Sequence, residues 1–418
     1  MSPSSIPTTT TTTSEQFKLV HLTDQEIIDF TRFQNSLAWK GCLSEKDYVL
    51  REYVLSKSKI TSSGNNKLYV YMLKSSYNDG DNDDEPLCSI ELLVRDSLKF
   101  EYDKDARGHV KQTNVLSGCI GGVFTYPQQR GKGYARIMVN KLVELAKRDL
   151  VGSDGFMFLY SEIGEYYAKN GFKSFPVDLI NIPLKGEVGT SGNSPQVDYE
   201  LVEYHQFQDL MRQYRVHFEQ EMVAKVKQDH KTRVSIKPTS DLIDWFHLRA
   251  KFITHKLFHE PKGHTIDFNN EYETIKDSFA QEPKIFGLKI KSSNGEIAGF
   301  IVWTIDWLEN GDANYATILK AVAFDKEAQD EIVLNLIKLA IHQLVHYPIL
   351  GKPTINVKLW ESEISDNVGR KLIELWPGTE TRLENSSRSG ILINNPEEEE
   401  QLKKGQLIWE ENTKLPWF

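Results

Sequence analysis

Apolar residues recur every three or four positions through "TDQEIIDFTRFQNSLAW" (23–39), which predicts an amphipathic helix. Thr23 or Asp24 can cap it, and Glu26 stands where a capping box needs a glutamate. "EKDYVLREYVLSKS" predicts a second helix, and residues 17–22 a strand before both. "KLYVYMLKSS" and "PLCSIELLVRDSLKFEY" are rich in β-branched and aromatic residues and predict strands, separated by the acidic run "DGDNDDE" (79–85). "NVLSGCIGGVFTY" predicts a longer strand, and a helix follows at about 134–149. "GFMFLYSEI" predicts a short buried strand, "GEYYAKNGF" a short helix, and "KSFPVDLINIPL" and "VDYELVEYHQF" closing strands.

The second half repeats this order without repeating the sequence. "RVSIKP" is strand-like, and "TSDLIDWFHLRAKFITHKLF" is helical. "KIFGLKIKS", "EIAGFIVWTIDWL" and "ATILKAVAF" are strands, "EAQDEIVLNLIKLAIHQLVH" a strong amphipathic helix and "PTINVKLWES" another strand. "DNVGRKLIELW", "SGILIN" and "GQLIWEE" complete the pattern. A shared order predicts a duplicated α/β fold. The expected division is a Thr-rich disordered tail (1–16), a first domain (17–205), a helical linker (206–230) and a second domain (231–418).

At 418 residues the chain is too long for one ordinary core. Its three cysteines, Cys42, Cys88 and Cys119, lie far apart, which argues for a reducing compartment, the cytoplasm or the nucleus. No apolar run approaches the ~18 residues of a membrane span, and the N-terminus lacks the basic and apolar regions of a signal peptide. A formal charge of −9 argues against a general nucleic-acid binder and suits a cationic substrate. The acidic runs 79–85 and "PEEEE" (396–400) are expected to be solvated loops.

The candidate chemistry centres on "PQQRGKGYA" (127–135), between a strand and a helix. Pro127 ends strand pairing. Gly131 and Gly133 permit positive φ and remove Cβ atoms that would block a bound group. The helix that starts near Tyr134 presents unpaired N–H groups and the positive end of its dipole. With Arg130 and Lys132 beside them, these features suit a diphosphate. No Ser or Thr follows the lysine as in a P-loop, and Arg136 replaces the third glycine of a dinucleotide fingerprint.

The stretch Val123 to Ala135 reads V-x-T-x-P-x-x-R-x-x-G-x-A and resembles the GNAT superfamily of acyl-coenzyme A-dependent N-acetyltransferases. "YYAKNGF" (166–172) matches a second element of that family, in the right order. The resemblance covers roughly 17–205. It implies a mixed, mostly antiparallel sheet flanked by helices, followed by a second, degenerate GNAT-like domain. It also implies direct attack of an amine on the thioester of acetyl-coenzyme A. Val123 and Thr125 would then offer backbone hydrogen bonds, Arg130, Gly131, Lys132, Gly133, Tyr134 and Ala135 would hold the pyrophosphate, and Tyr167 would protonate the leaving thiolate. Tyr166, its neighbour, is the alternative. More narrowly, "SLAWKGCLSEKDYVLREYVL" with "GVFTYPQQRGKGYA" resembles fungal lysine N6-acetyltransferases of lysine catabolism, which implies free L-lysine as acceptor. Protein lysine, a polyamine, or coenzyme A binding without turnover are the other readings.

A lysine amine, with a pKa of about 10.4, must lose a proton to react. Glu91 ranks first as its acceptor, because a carboxylate inside "SIELLV" is out of place; Glu101, Glu162 and the Phe418 carboxylate are alternatives. No metal is expected. His255/His259 and His342/His346 have helical i,i+4 spacing but no HExxH glutamate or cysteine cluster beside them. In the second half, "DKEAQDE" (325–331) occupies the phosphate corner. It has no glycine, and its acids are expected to satisfy the helix N–H groups, so no coenzyme A site is expected there.

Overall fold

The computed structural model describes residues 16–75, 85–103, 108–184 and 197–417. The Thr-rich tail, apart from Gln16, the acidic run up to Asp84, and Phe418 lie outside the described residues. The chain runs β1 (Phe17–Leu22), α1 (Gln25–Trp39), α2 (Glu45–Leu55), α3 (Lys59–Ser62), β2 (Lys67–Ser75), β3 (Pro86–Asp103), β4 (His109–Thr125), α4 (Tyr134–Leu145), β5 (Phe156–Ser161), β6 (Lys173–Pro183) and β7 (Tyr199–Glu203). It continues with α5 (Gln208–Asp229), β8 (Thr232–Ile236), α6 (Ser240–Thr254), α7 (Tyr272–Ser278), β9 (Ile285–Lys291), β10 (Ile297–Trp307), β11 (Asn314–Ala323), α8 (Gln329–His346), β12 (Thr354–Trp360), α9 (Asp366–Leu375), β13 (Glu380–Ile393), α10 (Pro396–Lys403) and β14 (Leu407–Trp409). Among the described residues no helix is long and apolar enough to cross a membrane.

All strands join one mixed, mostly antiparallel sheet, in the order β1-β2-β3-β4-β5-β13-β6-β12-β11-β10-β9-β7. β8 pairs with both β3 and β14. The parallel pairs are β4–β5, β11–β12 and β14–β8. The first two need helical crossovers, supplied by α4 and α8. The two halves of the chain do not keep separate sheets. β13, from the second half, lies between β5 and β6 of the first. β6 and β7 in turn pair with β12 and β9. α5, expected as a linker, buries Tyr214, Phe218, Met222 and Val226. Phe218 meets Phe100 of β3 and Tyr214 meets Phe300 of β10, so this helix packs on both halves.

Two local expectations need correction. Residues 396–400 are not a solvated loop but the start of α10. Asn395 accepts hydrogen bonds from the N–H groups of Glu397 and Glu398, Pro396 opens the helix, and glutamates suit its positive end. Glu398 is buried, 2.6 Å from the Lys99 ammonium. In α1, Asp24 caps as expected, accepting from Glu26 N–H at 2.8 Å. Yet the face turned inward is polar: Thr31, Arg32, Asn35 and Ser36 are buried, whereas Ile27, Phe30, Phe33 and Leu37 are exposed. The polar face meets polar partners on the sheet, described below.

Interleaved strands place both halves in one sheet. Calorimetry of the intact chain should show a single cooperative transition. A fragment ending at residue 205 should lose β13 from the exposed edges of β5 and β6 and aggregate. Two separable transitions, or a soluble, folded fragment, would contradict this.

Candidate active site

β4 and β5 pair in parallel only from Ser117–Phe156 to Ile120–Leu159. Both strands run on past that point, so the β5-facing edge of β4 from Gly121 onward is left without a strand partner. On its other edge, β4 bulges. Ser89 pairs with Phe124 and Glu91 with Gly121, which leaves Gly122 and Val123 opposite Ile90 alone. Gly122 has φ 56°, and a Cβ there would lie 3.2 Å from Glu91 Cγ. Glycine therefore lets the Glu91 side chain lie close against the bulge. The diverging strands and the bulge together expose backbone N–H and C=O groups toward a cleft.

The turn after β4 has the features expected of an anion site. Gly131 and Gly133 have φ of 81° and 80°, and a Cβ on either would meet no protein atom within 4 Å. Gly133 is the N-cap of α4 and supplies no side-chain cap, and no acid stands in the first turn. The N–H groups of Tyr134, Ala135 and Arg136 have no acceptor within the helix. Arg130 and Lys132 are exposed at the rim. Arg130 Nε donates to Thr125 O at 3.2 Å, and Lys132 Nζ donates to Gln129 Oε1 at 2.8 Å. These residues fit a bound pyrophosphate: open backbone donors, two cations and space where a side chain would intrude.

Beside the cleft lies a cavity of about 450 Å³. Its first wall comes from Glu91, Ile120 to Val123, Leu159 to Ile163 and Tyr167, with Asn35 and Trp39 of α1. Glu91 is buried, with Arg32 Nε 3.6 Å from its Oε1: an ion pair beyond hydrogen-bond distance. Burial raises the Glu91 carboxyl above its ordinary range; Arg32 opposes the rise and Glu52 adds to it. Ser89 Oγ donates to Asn35 Oδ1 at 3.3 Å. Arg32 and Asn35 thus explain why α1 turns its polar side inward. Glu162 also lines the cavity and accepts from Trp39 Nε1 at 3.2 Å. Glu101 does not; it pairs with Lys111 far down the β3–β4 ladder. Of the adjacent tyrosines, Tyr167 lines the cavity and Tyr166 does not. Burial raises the Tyr167 hydroxyl above its usual value, with Tyr166 and Glu162 adding to it, so it stays protonated at neutral pH.

The second half was expected to help shape the acceptor pocket, but none of the residues of this second wall stood out in the sequence. α6 contributes Trp245, Phe246 and Arg249, β10 Thr304 and Asp306, β11 Tyr315, and the C-terminal segment Lys414 and Trp417. Arg249 Nη1 is ion-paired with Asp306 Oδ1. Trp417 stacks on Tyr160, with ring centroids 5.3 Å apart. A signal for Asp306 was present: "VWTIDWL" places a carboxylate in an apolar strand, just as "SIELLV" does for Glu91.

The corresponding place in the second half is closed. β11 and β12 also part, after Thr317–Lys358. There, Glu363 fills the gap: its Oε1 accepts from Ala321 N–H at 2.8 Å. Lys320 Nζ lies 3.3 Å from Glu363 and 3.0 Å from Glu411. The acids ahead of α8 and in its first turn do not cap it as expected. Asp325 accepts from Glu327 N–H, Asp330 accepts from Ser365 and Asn367, and the cap position is Ala328. His255 and His259 lie beyond α6 with ring centroids 6.4 Å apart, and His342 and His346 lie on α8 at 4.3 Å.

Comparison with known proteins gives this architecture a family. The chain is 26% identical to an uncharacterized protein of Saccharomyces cerevisiae, over 94% of this chain and 96% of that one. It is 28% identical to a lysine acetyltransferase of Yarrowia lipolytica, over 37% of this chain and 40% of that one. Among solved structures, a tandem GNAT protein from the clavulanic acid biosynthesis pathway aligns with 13% identity and a TM-score of 0.47, covering 91% of this chain and 99% of that one. A GCN5-related N-acetyltransferase from Anabaena variabilis aligns with 15% identity and a TM-score of 0.48, covering 91% and 73%. The family model described as the LYC1 GNAT-like C-terminal domain matches residues 183–418, more than half of the chain. The chain therefore belongs to the LYC1-like family of GNAT-type N-acetyltransferases.

Proposed function

We propose that the protein transfers the acetyl group of acetyl-coenzyme A to the ε-amine of free L-lysine, a step of lysine degradation. The observation that carries this reading is the cavity itself. It adjoins the β4–β5 cleft, and its far wall is built by the second half, so it suits a small acceptor better than a protein chain. Tyr160, Trp245, Phe246 and Trp417 offer apolar faces for a tetramethylene chain. The likeness to the Yarrowia lipolytica protein named a lysine acetyltransferase supports lysine as the acceptor residue or molecule.

In this reading Gly131 to Ala135, with Arg130, hold the pyrophosphate at the start of α4. Val123 and Thr125 pair through their backbone with the acyl-pantetheine arm in the β4–β5 cleft. Bound there, acetyl-coenzyme A supplies an activated acetyl thioester. The Val123 N–H would polarise its carbonyl, an oxyanion-type contact. Glu91, its pKa raised by burial, accepts a proton from the incoming ammonium. The nitrogen forms a bond to the acetyl carbon and the carbon–sulfur bond breaks; the Tyr167 hydroxyl gives its proton to the departing sulfur, and the second proton that the nitrogen sheds as the amide forms restores that hydroxyl. The second half takes no cofactor in this reading, because Glu363 holds the Ala321 N–H that a pantetheine arm would need.

The direct test is thiol release from acetyl-coenzyme A against a panel of amines: lysine, ornithine, spermidine and a histone-tail peptide. Free lysine should give the highest kcat/KM, with N6-acetyllysine as product. Equal or better use of spermidine or the peptide would move the function to a polyamine or protein acetyltransferase. Thiol release with none of them would favour a binding protein without turnover.

The proton-transfer roles have their own test. Tyr167→Phe and Glu91→Gln should each lower kcat by roughly 10²–10⁴-fold, the usual span for acid–base catalysis, while coenzyme A affinity changes little. Glu91 must be ionised to act, so activity should fall as pH drops through its raised pKa. That acidic limb should lie above the ~4.3 of an ordinary glutamate and vanish in Glu91→Gln. A near-normal kcat in Tyr167→Phe would transfer its role to Tyr166 or water.

A further inference from the structure

Lys414 is the unexplained charge of the cavity. Its Nζ lies 3.2 Å from the centroid of the Trp417 ring and 5.9 Å from that of Phe246. Among the described residues no carboxylate forms an ion pair with it. Burial pulls its ammonium down to about 7; Asp306 and Glu162 oppose the fall and the nearby Arg249 charge adds to it. A cation taken out of water without a counter-ion is unfavourable, and ring faces compensate only in part. The neighbouring pair is also incompletely used. Arg249 meets Asp306 through one nitrogen and one oxygen; both line the cavity, and 26% and 19% of their side chains stay exposed. Guanidinium N–H groups and a carboxylate oxygen therefore remain for a third party. One wall thus holds a lone cation beside a partly open ion pair, while Glu91 and Tyr167 stand on the wall given by the first half.

Resting on the lysine reading above, we infer that Lys414 with the Arg249–Asp306 pair forms a subsite for the head group of a free α-amino acid. Lys414 and Arg249 receive the α-carboxylate, and Asp306 receives the α-ammonium. The aromatic rings that line the same cavity receive the aliphatic chain, so the side-chain amine reaches the thioester end. The same arrangement selects against competitors. A diamine lacking the carboxylate brings a second cation to Lys414, and a lysine within a peptide has no free carboxylate to offer it.

The test compares L-lysine with cadaverine, its decarboxylated analogue, in the full-length enzyme with acetyl-coenzyme A. Wild type should favour lysine strongly. Lys414→Met keeps the stem but removes the charge, and should lower the lysine-to-cadaverine ratio of kcat/KM by roughly 10- to 100-fold, as expected for one charge-assisted contact. Lys414→Arg should recover much of the ratio. Wild type using cadaverine as well as lysine, or a ratio unchanged in Lys414→Met, overturns the subsite. Should Lys414→Met fail to melt cooperatively, the wild-type comparison decides alone. The two readings also separate. If ornithine is the better acceptor and Lys414→Met reduces its advantage over putrescine, the subsite stands and the lysine assignment falls. If lysine is the preferred acceptor and the variant leaves the ratio intact, only the subsite falls.

Discussion

β5 is held along its whole length on one edge and released before its end on the other. β13 pairs with it from Phe156 to Ser161, whereas β4 parts from it after Leu159. A strand anchored in this way can diverge from its parallel neighbour without fraying, because its remaining backbone groups still have partners. The cleft that opens is where β4 shows its bulge, where the Gly131–Gly133 turn leads into α4, and where the cavity begins. Everything at the candidate site depends on this unequal pairing.

The strand that anchors β5 comes from the far end of the chain, so the site is a product of both halves. The second half has the same divergence between β11 and β12 but resolves it differently: Glu363 takes the exposed N–H, and Lys320, which also pairs with Glu411, offsets the buried carboxylate. One cleft keeps free backbone donors and the other is sealed by a side chain. The second half instead contributes α6, β10 and the C-terminal segment as a wall of the first half's cavity. A related division appears in α1, whose buried face is polar because Arg32 and Asn35 meet Glu91 and Ser89 rather than a core.

Much of this was legible in the sequence where the signal is local. Strand and helix order, the Asp24 cap and the Gly131–Gly133 corner follow from periodicity and backbone chemistry. The out-of-place carboxylate in "SIELLV" led to a group that lines the cavity. Other features depend on pairings distant in sequence. Nothing in "SGILIN" says that β13 inserts between β5 and β6. The period of α1 fixes its helicity but not which face is buried, since Arg32 and Asn35 turn inward only because Glu91 and Ser89 are opposite. "PEEEE" reads as solvated until Lys99, some 300 positions away in the chain, meets Glu398. Arg249 and Lys414 look like ordinary surface cations in sequence and become cavity residues through the fold.

The most direct measurement of the central claim, that both halves build a single acetyl-transfer site, is a crystal structure of the product complex with coenzyme A and N6-acetyllysine. The expected result is one coenzyme A per chain, its pyrophosphate at Gly131 to Ala135 and its sulfur between β4 and β5 near Tyr167, with the acetylated nitrogen beside Glu91 in the cavity. Coenzyme A bound between β11 and β12, or the product outside the cavity, would contradict it.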